Sequence, residues 1–343
     1  MPGLRDGTAP GLFTGLGAFP LTPVGAGGID ERAFDALVGR LVAAGVDMIC
    51  PLGSTGGYPY LTRAERARVA HLAVEAAGGI PVVIGIGSVG TREVLDLAAD
   101  AQAAGAAGVL LAPVTYQPLT EDEVYGLYED ITAELSVPLC VYDNPGTTGF
   151  TFTEELYGRV SRLPRVSSIK IPGVPATSDR RVAGSAGTAG TAGTAGTTGT
   201  AGTTGTAGLS GGPDATRGRV DRLRELVPRH VTIGISGDPM AATGLLAGCD
   251  AWYSVLGGTL PQRAMALTRA ARSGDAAAAR ALSAELEPVW DLMRRHGSMR
   301  VASALAEDLG LVGTPNLPRP LRALGADARA ELADWVAAAG ELS

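Results

Sequence analysis

Short apolar runs alternate with amphipathic stretches along most of this chain, and few folds accommodate that alternation. Eight runs read as strands, at 13–20, 47–52, 81–86, 108–114, 138–142, 166–171, 231–236 and 251–255. The stretches between them carry helix-start signals. Asp30 can cap a helix running toward Ala44. Thr62-Arg63-Ala64-Glu65 and Thr120-Glu121-Asp122-Glu123 both fit a capping box, in which the hydroxyl and the glutamate reciprocally satisfy free backbone N–H groups. Asp238-Pro239 fits a cap followed by proline in the first turn. Near-continuous apolar strands separated by helices imply a parallel sheet covered on both faces. Eight such units predict an α/β fold of the (β/α)8 TIM-barrel type, with a doubly wound open sheet as the alternative.

After Gly258 the pattern is helical only, at 261–272, 275–296, 299–309 and 327–339. Pro315, Pro318 and Pro320 mark an irregular connection between two of these helices. The expected organisation is a barrel over 1–258 and a C-terminal helical domain over 259–343. One segment belongs to neither pattern. Residues 183–208 are only Gly, Ala, Ser and Thr, with glycine at every third position from Gly184 to Gly208. The collagen period is there without the proline that stiffens a triple helix. The segment reads as a flexible linker spanning roughly 25–30 Å. It follows the sixth strand and reads as a tolerated repeat expansion, dispensable for folding, with a loose lid over the barrel mouth as the alternative.

Composition narrows the function. At 45% hydrophobic and 18% charged, the 343 residues can bury a sizeable core. The net charge is −7 and the arginines are scattered, so no basic stripe suggests a nucleic-acid partner. Cys50, Cys140 and Cys249 lie far apart in mostly apolar runs and read as reduced core thiols of a cytoplasmic protein, without metal spacing. The N-terminal stretch is a poor signal peptide, since Pro20 and Pro23 interrupt its apolar part. No run of 18 apolar residues exists to make a membrane helix. Neither a metal nor a cofactor is expected.

Only one of the 28 basic side chains is a lysine, Lys170, in Val166-Ser167-Ser168-Ile169-Lys170-Ile171-Pro172. Arginine would supply charge equally well, but it stays protonated. A desolvated lysine can lose its proton and act as a nucleophilic amine that forms a Schiff base with a carbonyl. The bland reading is a lysine at a strand end with its head in solvent.

In barrel enzymes the active site forms at the C-terminal ends of the strands. The second strand ends in Gly53-Ser54-Thr55-Gly56-Gly57, the fifth in Tyr142-Asp143-Asn144-Pro145-Gly146-Thr147-Thr148, and the sixth carries Lys170. Tyr142 and Lys170 lie on consecutive strands and can approach each other in the mouth. A glycine-rich turn with two hydroxyls exposes N–H groups suited to the carboxylate of a 2-oxo acid. A tyrosine beside an amine can relay protons during imine chemistry.

This ordered set resembles the dihydrodipicolinate synthase/N-acetylneuraminate lyase family of class I aldolase-type, Schiff-base-forming enzymes. The match is the Gly-Ser/Thr-Thr-Gly turn, then a Tyr-Asn-x-Pro-like run, then a strand lysine. The helix start Leu61-Thr62…Glu65-Arg66 and Ser236-Gly237-Asp238 are also similar. The resemblance covers nearly the whole chain outside the repeat. It implies a (β/α)8 barrel with a C-terminal helical domain, assembled as a homo-oligomer, tetramer or dimer. It implies Lys170 as the Schiff-base residue, Tyr142 as proton relay, and Ser54 and Thr55 as carboxylate or relay hydroxyls. Gly53, Ser54, Thr55, Thr147, Gly237 and Tyr253 make up the expected substrate-binding set. The chain departs from the family pattern at Thr147, where dihydrodipicolinate synthases carry an arginine. It also departs at Pro113-Val114-Thr115-Tyr116, where they carry a tyrosine pair, at Gly57, where many carry glutamate, and at Pro172. An uncharged Thr147 predicts weak condensation with aspartate semialdehyde.

Other signals carry less. Gly85-Ile86-Gly87-Ser88-Val89-Gly90 spells a dinucleotide fingerprint, but the next strand has no acid to hold a ribose, so it reads as a barrel turn. His71, His230 and His296 are isolated. Arg217, Arg219, Arg222 and Arg224 read as a solvated helix face. The function expected is a lyase acting on a pyruvate-type 2-oxo acid through a lysine imine, by aldol cleavage, condensation or dehydration. 4-Hydroxy-tetrahydrodipicolinate synthase is one alternative. A non-catalytic 2-oxo acid-binding barrel and a nicotinamide oxidoreductase are alternatives of other classes.

Overall fold

The computed structural model describes residues 11–173 and 213–340. The repeat at 183–208 lies outside the described residues. Eight parallel strands form one sheet: β1 (Gly15–Ala18), β2 (Met48–Ile49), β3 (Val83–Gly85), β4 (Gly108–Leu111), β5 (Leu139–Tyr142), β6 (Val166–Pro172), β7 (Thr232–Ser236) and β8 (Ala251–Ser254). The order is β2-β1-β8-β7-β6-β5-β4-β3. A parallel bridge between Ile49 and Val82 joins the two ends, with Ile49 N–H donating to Pro81 O and Gly85 N–H to Pro51 O. The sheet is therefore a barrel, and the open-sheet alternative falls.

Strand alternation sorts the residues between the inside and the helix layer. Cys140 and Tyr142 on β5 and Ala251 and Tyr253 on β8 join Phe19, Met48, Cys50, Val83 and Leu110 in an inner cluster. Val141, Ile169, Ile171 and Trp252 join the outer core with the helices. The Tyr253 ring crosses the interior where β7 has Gly234, and a Cβ at 234 would lie 2.2 Å from that ring.

The helices are α1 (Glu31–Ala44), α2 (Arg63–Ala76), α3 (Thr91–Ala103), α4 (Glu121–Glu134), α5 (Glu154–Val160), α6 (Pro213–Leu226), α7 (Ala241–Leu246) and α8 (Pro261–Arg272). Asp30 caps α1, and both capping boxes form, at Thr62 with Glu65 and at Thr120 with Glu123. The Gly85–Gly90 run is a barrel turn. A Cβ on Gly85 would lie 2.0 Å from Leu52 O, and the buried Arg66 guanidinium donates to Gly85 O and Gly87 O, both at 3.0 Å. The arginines of α6 are not a uniform solvated face. Arg219 donates to Pro172 O at the end of β6, and Arg224 pairs with Asp250, because α6 must fasten to the strands it covers.

Helix α8 packs on β1, α1 and α7, as the last helix of the barrel must. Beyond it come α9 (Ala276–Glu285), α10 (Glu287–His296), α11 (Ser298–Asp308) and α12 (Ala326–Ala338). The single helix expected over 275–296 is two, because Pro288 in the first turn of α10 cannot continue the helix before it. Ala302 and Ala306 of α11 pack on Leu21 and Leu37, which brings α10 and α11 against the C-terminal end of the barrel. The proline-rich connection after α11 is irregular as expected. Buried Asn316 anchors it, accepting from Ser303 Oγ at 2.8 Å and donating to Glu307 and to Gly313 O.

Candidate active site

Because side chains alternate, Ser168 and Lys170 point into the barrel while Ile169 and Ile171 point out. Lys170 thus lies on the inward face of β6 near its C-terminal end, at the mouth. Its register partner on β5 is Tyr142, and Lys170 Nζ lies 3.8 Å from the centre of the Tyr142 ring. The lysine is 5% exposed. Among the described residues, no carboxylate pairs with its ammonium. Beneath it, the Tyr253 hydroxyl bridges Ser168 Oγ at 2.8 Å and Cys140 Sγ at 3.2 Å, closing the floor with a polar contact.

The Tyr142 hydroxyl is a junction. It lies 3.0 Å from Ser54 Oγ, and Asn144 Nδ2 donates to it at 3.0 Å. With the Asn144 donor on the phenol oxygen, the phenol's own hydrogen is left for Ser54 or for a bound molecule. Ser54 reaches this position because the chain leaves β2 through Leu52 at φ 59°. A side-chain-bearing residue in that left-handed region costs about 1–3 kcal/mol, a kind of strain that gathers at functional sites.

Behind β5, Asp143 points into the helix layer. Its Oδ2 accepts a 2.5 Å hydrogen bond from the Tyr157 hydroxyl, and its Oδ1 is buried without a partner among the described residues. Burial pushes its carboxyl up to about 6, against the Tyr157 hydrogen bond and the Arg219 and Lys170 charges. Asp238 does not cap the helix after it. Its carboxylate accepts instead from Trp252 Nε1, Val255 N and Leu256 N, at and just after β8. Burial raises Asp238 to about 6, against those hydrogen bonds.

A cavity of about 300 Å³ opens over the lysine. Of the residues expected from the sequence, Ser54, Thr55, Tyr142, Thr147, Lys170, Gly237 and Tyr253 line it. Gly53 does not. Its Cα faces the Phe19 ring so closely that a Cβ would lie 2.3 Å from it, so this glycine makes room for the wall behind the site. Tyr253 lines the cavity, and its hydroxyl is engaged by Ser168 and Cys140. The cavity is also lined by Phe19, Asn144, Ser236, Asp238, Pro239, Val255, Met293, Arg294 and Ser298, none of which is in the expected site set. Asn144 was findable, because two residues beyond Tyr142 the chain returns to the same face. Met293, Arg294 and Ser298 come from α10 and α11, and nothing local in the sequence aims those helices at the mouth.

A (β/α)8 barrel with a buried amine against a tyrosine at its C-terminal mouth has the form of a class I aldolase-type lyase. A sequence model of the Dihydrodipicolinate synthetase family matches residues 12–177 and 212–339, on both sides of the repeat. The 4-hydroxy-tetrahydrodipicolinate synthase of Hyphomonas neptunium is 31% identical over 335 residues, covering 96% of this chain and 99% of that protein. The enzyme of the same name from Nitratidesulfovibrio vulgaris is 30% identical over 337 residues, covering 96% and 99%. The crystal structure of dihydrodipicolinate synthase from Agrobacterium tumefaciens superposes with a TM-score of 0.82 at 38% identity, covering 97% of this chain and 99% of that one. The chain belongs to the dihydrodipicolinate synthetase family of lyases.

Proposed function

We propose that the protein acts on a pyruvate-type 2-oxo acid through an imine at Lys170. The observation that carries this reading is the lone amine itself, sequestered at the mouth against the Tyr142 ring with no carboxylate partner among the described residues. Its Nζ adds to the C2 carbonyl, water leaves, and the resulting iminium makes C2 an electron sink. The C3–C4 bond then breaks in a retro-aldol step, or C3 loses a proton before condensation or dehydration. Hydrolysis of the imine returns the amine. Tyr142 carries protons to and from the reacting atoms, directed by Ser54 and Asn144. The Ser54-Thr55 turn receives the C1 carboxylate.

Borohydride added with pyruvate should reduce the imine and add the corresponding mass to Lys170. Lys170→Arg should abolish the adduct while keeping the charge. Absence of any adduct across a panel of 2-oxo acids would sink the imine mechanism.

A second reading, condensation of pyruvate with aspartate semialdehyde, is favoured by the names that the relatives carry. Thr147, exposed at the rim with its hydroxyl turned to Asn144 O, offers that substrate no charge.

The molecule is read as a homo-oligomer. Tyr60, Val89 and Tyr116 are 46%, 61% and 86% exposed and follow the consecutive strands β2, β3 and β4, an apolar set that a second copy of this chain would cover. The barrel unit is best drawn through Arg272, with the C-terminal helices from α9 onward. No helix among the described residues is long and apolar enough to cross a membrane. The buried free thiols of Cys50, Cys140 and Cys249 support a reducing cytoplasmic setting.

A further inference from the structure

We propose that Arg294 selects the distal end of the substrate, and that what it selects is a carboxylate. The proposal rests on the imine reading of Lys170 and extends it to the part of the substrate that Lys170 does not touch.

Among the described residues, three charged side chains line the cavity: Lys170, Asp238 and Arg294. Asp238 is closed to ligands, because its oxygens already accept from Trp252, Val255 and Leu256. That leaves two basic side chains, Lys170 from β6 and Arg294 from α10. Arg294 comes from α10, and its guanidinium is held from behind. Nη2 donates to Glu287 Oε1 at 2.6 Å and lies 3.6 Å from Asp291 Oδ1. Neither carboxylate lines the cavity, and both sit on the outer face of the helix, 58% and 48% exposed. At that exposure solvent screens them, so they orient the guanidinium more than they cancel its charge. One nitrogen is committed. The remaining Nε and Nη1 donors have no partner among the described residues.

A three-carbon acid fills only part of a cavity of about 300 Å³. With C2 at Lys170 and C1 at the Ser54-Thr55 turn, the lining that Met293, Arg294 and Ser298 supply to the same cavity is left for the rest of a longer substrate. A planar guanidinium matches a carboxylate with two parallel hydrogen bonds, whereas a hydroxyl engages only one. Arg294 thus supplies from the C-terminal helices the charge that Thr147 lacks. The substrate class is a 2-oxo acid, or the aldehyde joined to one, that bears a second carboxylate.

The test is borohydride trapping of the full chain with pyruvate, 2-oxoglutarate and 2-oxopentanoate, measuring the half-saturating concentration of each. The last two have equal carbon counts and differ in the distal carboxylate. The unmodified protein should trap 2-oxoglutarate at lower concentration than 2-oxopentanoate. Arg294→Gln should shrink that preference by about 10- to 100-fold, and Arg294→Lys should retain part of it. Pyruvate is the reference. No preference in the unmodified protein, or a preference that survives Arg294→Gln, overturns the proposal. So does an equal loss for all three acids, which would mean that Arg294 merely braces α10. Failure of every acid to trap on the unmodified protein overturns the Lys170 reading first, and this one with it.

Discussion

Tyr142 stands at the centre of the site, between Lys170 on one side and Ser54 and Asn144 on the other. A phenol that only packed would not need two polar neighbours. Tyr142→Phe keeps the ring against the lysine and removes the hydroxyl. Turnover should fall by about 10²–10⁴-fold with the melting temperature nearly unchanged. A fully active Phe variant would take Tyr142 out of the chemistry. Its chain neighbour Asp143 makes a pH prediction. Folding raises this carboxyl from 3.8 to about 6, chiefly by burial. Between those values the folded protein keeps a proton that the unfolded chain has released. The contribution therefore favours the fold at low pH and is lost as pH rises through that window. Asp143→Asn removes the titration. The stability of the variant minus that of the unmodified protein should rise by roughly 1–3 kcal/mol from pH 4 to pH 7. Parallel melting curves across that range would count against a buried, protonated Asp143.

At the scale of elements, glycines divide into those that make room and those that do not. Gly234 on β7 lets the Tyr253 ring cross the interior. Gly234→Ala should push that ring off Ser168 and Cys140 and destabilise the barrel by about 1–3 kcal/mol. Gly126 in the middle of α4 has nothing within 4 Å of where a Cβ would sit. Gly126→Ala should therefore stabilise by about 0.4–1 kcal/mol. Thermal melts of the two variants should move in opposite directions. Movement in the same direction would show that the close approach at Gly234 does not govern the strand.

At the scale of the whole molecule, the exposed Tyr60, Val89 and Tyr116 lie on loops that leave adjacent strands at the same end of the barrel. We propose that these three exposed apolar side chains belong to an association surface. Tyr116→Asp places a charge where a second copy would bury it. Sedimentation should show a shift toward monomer, with circular dichroism unaltered. An assembly that keeps its mass would move the interface elsewhere.

The sequence by itself determined the strands, the caps of α1, α2 and α4, and the place of the lysine on its strand. Near-continuous apolar runs, Thr62 with Glu65, Thr120 with Glu123 and the one lysine among 28 cations are local signals, and the strands and these two capped helices form where those signals lie. It also brought Tyr142 and Lys170 together, because consecutive parallel strands are neighbours. Tertiary structure decided the rest. Closure between Ile49 and Val82 joins residues that only a complete sheet brings together. The roles of Gly53, Tyr253 and Asp238 turn on which partner stands across the interior, which alternation along one strand does not specify. Arg294 reaches the mouth because α11 packs on Leu21 and Leu37, and that contact spans most of the chain. Local backbone preference acts over a few residues, whereas the position of a side chain from a distant helix depends on the packing of every layer between.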